Sequence, residues 1–344
     1  MYSFTNDYSE GAHPRILKAL LDTNLEQTTG YGEDKYSLEA IALLKEKTGR
    51  QDVDVHLLPG GTQTNLTALS AFLRPHEAVI APDTAHILVH ETGAIEATGH
   101  KIISVTVDDG KLVPDHVKRV LDEHTDEHMV KPRLVYISNS TEVGTVYNRS
   151  EIEELHKICC DNHLLFFMDG ARLGSALTCS QNDLSLNDLP DLMDAFYIGG
   201  TKNGALLGEA LVISREELKA DFRFHMKQKG ALLAKGRLLG IQFLELFADD
   251  LYFELARHAN EMAMILRKGI EEAGYQFLTD SPSNQQFPIL PDKIITELQA
   301  KYGFNIGPRM DAENSAIRLV TSWATPWEAV NEFLNDLSAR KNII

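Results

Sequence analysis

The sequence predicts an α/β protein: a large domain with a mostly parallel central sheet covered by helices on both faces, plus a small C-terminal α/β domain. Three observations lead there. From about residue 36, short apolar runs alternate with stretches of helical periodicity, the pattern left by successive βαβ units. Between Arg237 and Gly274 the pattern is almost purely helical, which sets a longer first part off from a shorter second one. The chain has 344 residues, 43% of them hydrophobic, enough for a large core and a second lobe. The expected division is 1–248 for the large domain and 249–344 for the small one, with the N-terminal segment packing on the small domain.

Helical spacing falls at 37–46, 65–72, 115–123 and 150–162, and strand-like runs at 102–107, 133–138, 164–168, 195–198 and 210–213. Ser150 with Glu153 three residues on has the spacing of a capping box, so a helix is expected to start there. Met262, Ile265, Leu266 and Ile270 fall on one face of a helix, as in a helix docked on a core, and this helical stretch reads as the bridge between the lobes. A run at 286–290, a helix near 292–302, a strand at 317–321 and a helix at 326–338 make up the small lobe. The sequence has neither internal repeats nor low-complexity linkers.

Charge excludes some functions. With 33 basic and 50 acidic residues the formal net charge is -17, a field that repels phosphate backbones and anionic lipid surfaces. Neither nucleic acid nor membrane partners are expected. No apolar run approaches the roughly 20 residues that span a bilayer, and residues 1–6 lack the features of a leader, so the expected location is cytoplasmic. Only three cysteines occur, two of them adjacent at Cys159 and Cys160. They fit neither a disulfide framework nor a CxxC metal site, and reduced core thiols are expected.

In open parallel sheets ligands bind outside the carboxyl ends of the strands, so polar residues just after apolar runs are the candidates. Four places qualify. In 57–65, Leu-Leu-Pro-Gly-Gly-Thr-Gln-Thr-Asn, two glycines precede a helical pattern, and backbone amides at a helix N-terminus can cradle a phosphate. An ordinary capped turn has the same composition. In 164–172 a buried-strand pattern ends at Asp169, followed by Gly170, Ala171 and Arg172. A carboxylate there needs a partner, either Arg172 or the cationic ring nitrogen of a ligand. In 195–204, Lys202 follows an apolar strand and sits among Gly199, Gly200, Thr201 and Gly204. Such a lysine suits a Schiff base, which needs room and a lowered pKa, although a solvated turn remains open. In 317–321, Arg318 interrupts an apolar strand, which suits bidentate recognition of a carboxylate from the protein or from a ligand.

His86 and His90 are four apart with Glu91 adjacent, a spacing that can present two metal ligands on a helix. With no third ligand nearby, no metal is expected. Stacking on a flat ring is the better use for His86.

Taken together, Gly60-Gly61-Thr62, His86, Asp169-Gly-Ala-Arg172, Thr201-Lys202 and Arg318-Leu-Val-Thr321 resemble the threonine aldolase and β-eliminating lyase family of fold-type I pyridoxal-phosphate enzymes, over nearly the whole chain. The segments 141–144 and 201–204 are most similar to phenylserine-aldolase-like members. The resemblance implies pyridoxal 5'-phosphate on Lys202 as a Schiff base, Asp169 on the pyridine nitrogen and Gly61 with Thr62 at the phosphate. It further implies His86 on the ring and in proton transfer, Arg172 and Arg318 on the substrate α-carboxylate, and a homodimer or homotetramer. Asn6-Asp7-Tyr8 stands where many members have Ser-Asp-Thr, and Thr141 replaces a histidine that contacts the substrate hydroxyl. Asn6 and Thr141 are therefore the expected substrate contacts, and threonine itself is not fixed as the substrate. The implied reaction is retro-aldol cleavage of a β-hydroxy-α-amino acid to glycine and an aldehyde. An aminotransferase or a β-eliminating lyase acting on a small amino acid would use the same cofactor and lysine. A non-catalytic regulator would need an appended DNA-binding segment that the sequence lacks.

Overall fold

The computed structural model describes residues 1–341. Strand β1 (Tyr2–Ser3) stands apart from the seven that follow it. These are β2 (Asp54–Leu58), β3 (Glu77–Pro82), β4 (Ile102–Val105), β5 (Lys131–Ser138), β6 (Leu165–Asp169), β7 (Ala195–Gly199) and β8 (Glu209–Ile213). They form one sheet in the order β2-β8-β7-β6-β5-β3-β4. The ladders from β7 through β6, β5 and β3 to β4 are parallel, and β8 is antiparallel to both β7 and β2. Every residue of β3, β6, β7 and β8 is buried, as the near-continuous apolar runs of a sheet covered on both faces require.

One face lies under the helices Lys35–Lys47, Arg149–Asp161 and Arg237–Ala248, which contribute Leu44, Ile152, Leu155 and Phe243 to the core. The other lies under Gly61–Phe72 and Phe222–Gln228, through Leu69, Phe72, Phe222 and Met226. Strands β2, β3, β5, β6 and β7 all end at one edge, and register fixes what meets there: Ser138 opposite Asp169, and Gly199 opposite Glu209.

The small lobe holds β9 (Gln285–Gln286), β10 (Ile289–Pro291), β11 (Tyr302–Gly303), β12 (Asn305–Arg309) and β13 (Asn314–Val320). Strands β9, β10 and β12 pair antiparallel with β13, while β1 runs parallel to β11, with Tyr2 opposite Tyr302. Phe4 lies in the small-lobe core beside Leu319 and Phe333. The helix Leu251–Glu272 feeds both cores: Leu251, Tyr252 and Leu255 pack under the large sheet, and Met262, Leu266 and Ile270 in the small lobe. No helix among the described residues is long and apolar enough to cross a membrane.

Several local expectations shift. The helix Arg149–Asp161 starts on Asn148, whose side chain accepts from Glu151 N at 3.0 Å while Glu151 reaches back to Asn148 N, so the capping box lies two residues before the Ser150 spacing. Gly61 and Thr62 form the first turn of the helix Gly61–Phe72 instead of a loop ahead of Asn65. The helix Pro14–Asp22 and strands β2 and β3 have no counterpart in the periodicity reading, because Asp54 and His56 interrupt β2 and only four apolar residues separate Glu77 from Pro82. Cys160 is exposed, 3.4 Å from His156 Nε2, while Cys159 and Cys179 are buried.

Leu266 is fully buried between the long helix and the small-lobe strands. Leu266→Ala should lower unfolding free energy by about 2–5 kcal/mol, read as a shift in denaturant midpoint with the slope unchanged.

Candidate active site

The carboxyl ends of the strands gather most of the residues singled out from sequence. Asp169, the last residue of β6, is buried and accepts four hydrogen bonds. Tyr197 OH and Ala171 N donate to Oδ1 at 2.5 and 3.0 Å, and Tyr136 OH and Asn65 Nδ2 donate to Oδ2 at 2.5 and 3.0 Å. Burial alone pushes this carboxyl up, and those four donors more than reverse it, so Asp169 is held ionised below the usual aspartate value. Its expected protein partner, Arg172, lies elsewhere.

Asn65 also donates to Glu91 Oε1 at 2.8 Å, and the same oxygen meets His86 Nδ1 at 2.8 Å. His86 follows β3 and opens a short helical turn, half-buried, with the His90 ring 5.5 Å away. Glu91 thus fixes the imidazole by one nitrogen and leaves the other free for the cleft. Among the described residues no group of three or more His, Cys, Asp or Glu side chains is arranged to hold a metal.

Lys202 stands on a loop folded tightly back on itself. Gly200 N and Thr201 N both donate to Gly208 O, at 2.9 and 3.2 Å, and Asn203 Nδ2 donates to Tyr252 O at 2.7 Å. The glycines beside the lysine serve that packing. A Cβ on Gly199 would lie 2.5 Å from Ala171 O, and one on Gly200 2.8 Å from Gly208 O. Below the loop, buried Glu209 accepts from Thr201 Oγ1 at 2.8 Å and from Gly200 N at 3.2 Å. Burial, reinforced by the Arg172 charge, pulls the Lys202 ammonium down, and burial pushes Glu209 up. An ammonium lowered in this way gives up its proton more readily, which favours the amine as a nucleophile.

The two arginines differ. Arg172 makes a bidentate pair with Asp7, Nε to Oδ2 at 2.7 Å and Nη2 to Oδ1 at 3.0 Å, both side chains nearly inaccessible. Asn284 Nδ2 adds a bond to Asp7 at 2.9 Å. Arg318 meets only the neutral Gln285 Oε1, from Nε at 3.2 Å and Nη2 at 2.6 Å, and burial with Arg172 nearby pulls its guanidinium down to about 10. It is still a full cation at neutral pH, with no carboxylate partner among the described residues.

Two expected substrate contacts are displaced by one residue each. Asn6 Oδ1 accepts from Tyr8 N and Ser9 Oγ and so closes a local turn, and it is Asp7 that enters the site. The Thr141 hydroxyl is buried and bonds the Thr145 hydroxyl at 2.7 Å, so it is engaged within its own turn. Glu142 takes its place at the rim: half-buried, its Oε1 accepts from Ser138 Oγ at 2.7 Å and His86 N at 3.0 Å. Glu209 carried no signal in the sequence, while Glu91 was noticed only beside the two histidines and Glu142 only as part of the segment 141–144, neither with a role of its own.

This donor set fits pyridoxal phosphate. The helix Gly61–Phe72 has no side-chain cap, so its first amides are free for a phosphate. A Cβ on Gly61 would lie 3.3 Å from Tyr197 OH, itself bonded to Asp169, which puts that helix end close to the carboxylate. All four acceptor positions of Asp169 are filled, but two by rotatable tyrosine hydroxyls that a cationic ring N–H can replace.

The beta-eliminating lyase family model matches residues 9–291. A low specificity L-threonine aldolase from Pseudomonas aeruginosa is 31% identical over 97% of this chain and 96% of its own length. A solved structure of Leishmania major threonine aldolase superposes with a TM-score of 0.98 at 48% identity, covering 99% of this chain and all of the other. An aromatic aminotransferase from Pyrococcus horikoshii, 19% identical, covers 99% of this chain and 96% of its own with a TM-score of 0.72, a likeness of fold.

Burial pushes Asp7 up, but the charges of Arg172 and Lys202 and the bonds from Arg172 and Asn284 hold it below the ordinary aspartate value. A carboxyl lowered on folding contributes stability above its unfolded pKa of about 4 and loses it as pH falls below that. Asp7→Ala should therefore cost about 3–5 kcal/mol at pH 7 by leaving Arg172 uncompensated, with the gap from wild type narrowing below about pH 4. Denaturant titrations across that range measure it.

Proposed function

The chain belongs to the beta-eliminating lyase family, and from that premise we propose that it cleaves a β-hydroxy-α-amino acid of the threonine, allo-threonine or phenylserine type to glycine and an aldehyde. The observation that carries the reading is the Lys202 amine, depressed by burial and Arg172, in a cleft that also holds the ionised Asp169 and the carboxylate-free Arg318.

Its cofactor is pyridoxal 5'-phosphate, which when bound supplies an electron sink for the pair released as a bond to Cα breaks. Lys202 provides the amine to which the cofactor attaches. Asp169 would hold a positive charge on the ring nitrogen, the amides of Gly61 and Thr62 would receive the phosphate, and His86, oriented by Glu91, would lie against the ring and be available for proton transfer. Arg318, with Arg172 alongside, takes the substrate α-carboxylate and so orients the Cα–Cβ bond for cleavage. Residues 1–248 act in this reading as the cofactor-binding lobe and those from 249 on as the smaller lobe that brings Arg318. A homodimer or homotetramer in the cytoplasm belongs to the same reading, and the exposed, evenly spaced Leu17, Leu21 and Leu25 support the self-association.

Purified protein with added pyridoxal phosphate should release aldehyde from at least one of threonine, allo-threonine and phenylserine, and Lys202→Ala should release none. Borohydride reduction followed by peptide mass mapping should find the pyridoxyl group on Lys202. Transamination without aldehyde release would overturn the reading. Arg318→Ala should raise KM about 10- to 150-fold, the equivalent of one charge-assisted hydrogen bond, and an unchanged KM would remove Arg318 from the carboxylate site.

A further inference from the structure

Cleavage of a β-hydroxy-α-amino acid requires a group that takes the hydroxyl proton, and the turn after β5 presents one. Thr141 cannot serve: its hydroxyl is buried against Thr145, whose own hydroxyl bonds Asp109 O at 2.7 Å. The same turn carries Glu142 on the cleft side, held from both flanks. On one flank His86 N and Ser138 Oγ donate to Oε1. On the other, Gln285 Nε2 donates to Thr141 O at 3.0 Å, and Arg318 clasps that same Gln285 at Oε1. Glu142 is therefore joined to His86 through that residue's backbone amide, and the turn that carries it is tied through Gln285 to Arg318, whose guanidinium feels its charge. Its Oε2 has no side-chain donor among the described residues.

We propose that Glu142 is the catalytic residue that binds the substrate's β-hydroxyl and accepts its proton through Oε2. The assignment rests on the aldolase reading above. In the step, the O–H bond breaks and its proton passes to the carboxylate. The O–H electron pair becomes the second bond of the aldehyde carbonyl as Cα–Cβ breaks. The pair left on Cα takes up a proton to give glycine, so atoms and charge balance with no further reactant. The surroundings suit a base. Burial, with Asp169 adding to it, raises the Glu142 carboxyl above the ordinary glutamate value, while Tyr136, Tyr147, Arg172 and Arg318 also share its field. His86, fixed by Glu91 at Nδ1, is left to cover the ring.

The test compares wild type, Glu142→Gln and Glu142→Asp as holoenzymes in two reactions. Cleavage of phenylserine or threonine needs the hydroxyl proton removed. Exchange of the glycine α-proton with deuterium from solvent, followed by NMR, uses the same lysine, cofactor and carboxylate site but no hydroxyl. Glutamine keeps the Oε1 acceptor for Ser138 and His86 N and loses only basicity. Glu142→Gln should lower kcat for cleavage about 100- to 10,000-fold, with glycine exchange and the bound cofactor's absorbance within about twofold of wild type, and Glu142→Asp should recover part of the loss. Cleavage by Glu142→Gln at the wild-type rate overturns the assignment, as does an equal fall in both reactions, which marks a purely structural role. Wild-type protein that exchanges glycine but cleaves none of the three substrates overturns the aldolase reading instead.

Discussion

One buried negative charge organises the floor of this cleft. An unpaired carboxylate at the position of Asp169 would cost several kcal/mol, and the protein answers with donors from three neighbouring elements: Tyr136 on β5, Tyr197 on β7 and Asn65 on the helix Gly61–Phe72. Each holds its place only if its element is in register. A slip of β7 by a single residue would turn Tyr197 to the opposite face of the sheet and leave the charge short of a partner. The same Asn65 amide continues to Glu91 and through it to His86, so the imidazole and the carboxylate are positioned by one chain of hydrogen bonds.

Around that floor charges of both signs are packed closely together. Burial and Arg172 hold the Lys202 ammonium down, and the carboxylates of Asp7, Asp169 and Glu209 work against them. Surface charges are screened within about 10 Å at ordinary ionic strength, whereas charges in the cleft act through a low dielectric over shorter distances. A net charge of -17 acts on surroundings at a distance, whereas the potential inside the cleft is set by the few buried charges that line it.

Much of the architecture was legible because its causes are local. Strands of a sheet covered on both faces must be largely apolar, so β5 to β8 are plain in the chain, and a lysine closely hemmed by glycines or an aspartate at the end of such a run is visible without coordinates. The glycines beside Lys202 have a packing role of their own: they let the loop pack on Ala171 and Gly208. What could not be read depends on convergence. Glu91, Glu142 and Glu209 come from three separate segments and become neighbours of the site only when strand ends meet. The offsets from Asn6 to Asp7 and from Thr141 to Glu142 have a similar origin. A residue type fitted the pattern, but the facing of a turn decided which side chain entered; between 141 and 145 that facing is set by Gly144 at φ 84°, where a Cβ would strike Ser281.

The first seven residues have a mechanical meaning. Tyr2 and Ser3 add a strand to the small lobe and Phe4 anchors in its core, while three residues later Asp7 grips Arg172 at the carboxyl end of the large sheet. So short a tether has little slack. The N-terminal strand of the small lobe and the carboxylate that neutralises Arg172 are thus set by one run of seven residues, so a change in this segment bears on both.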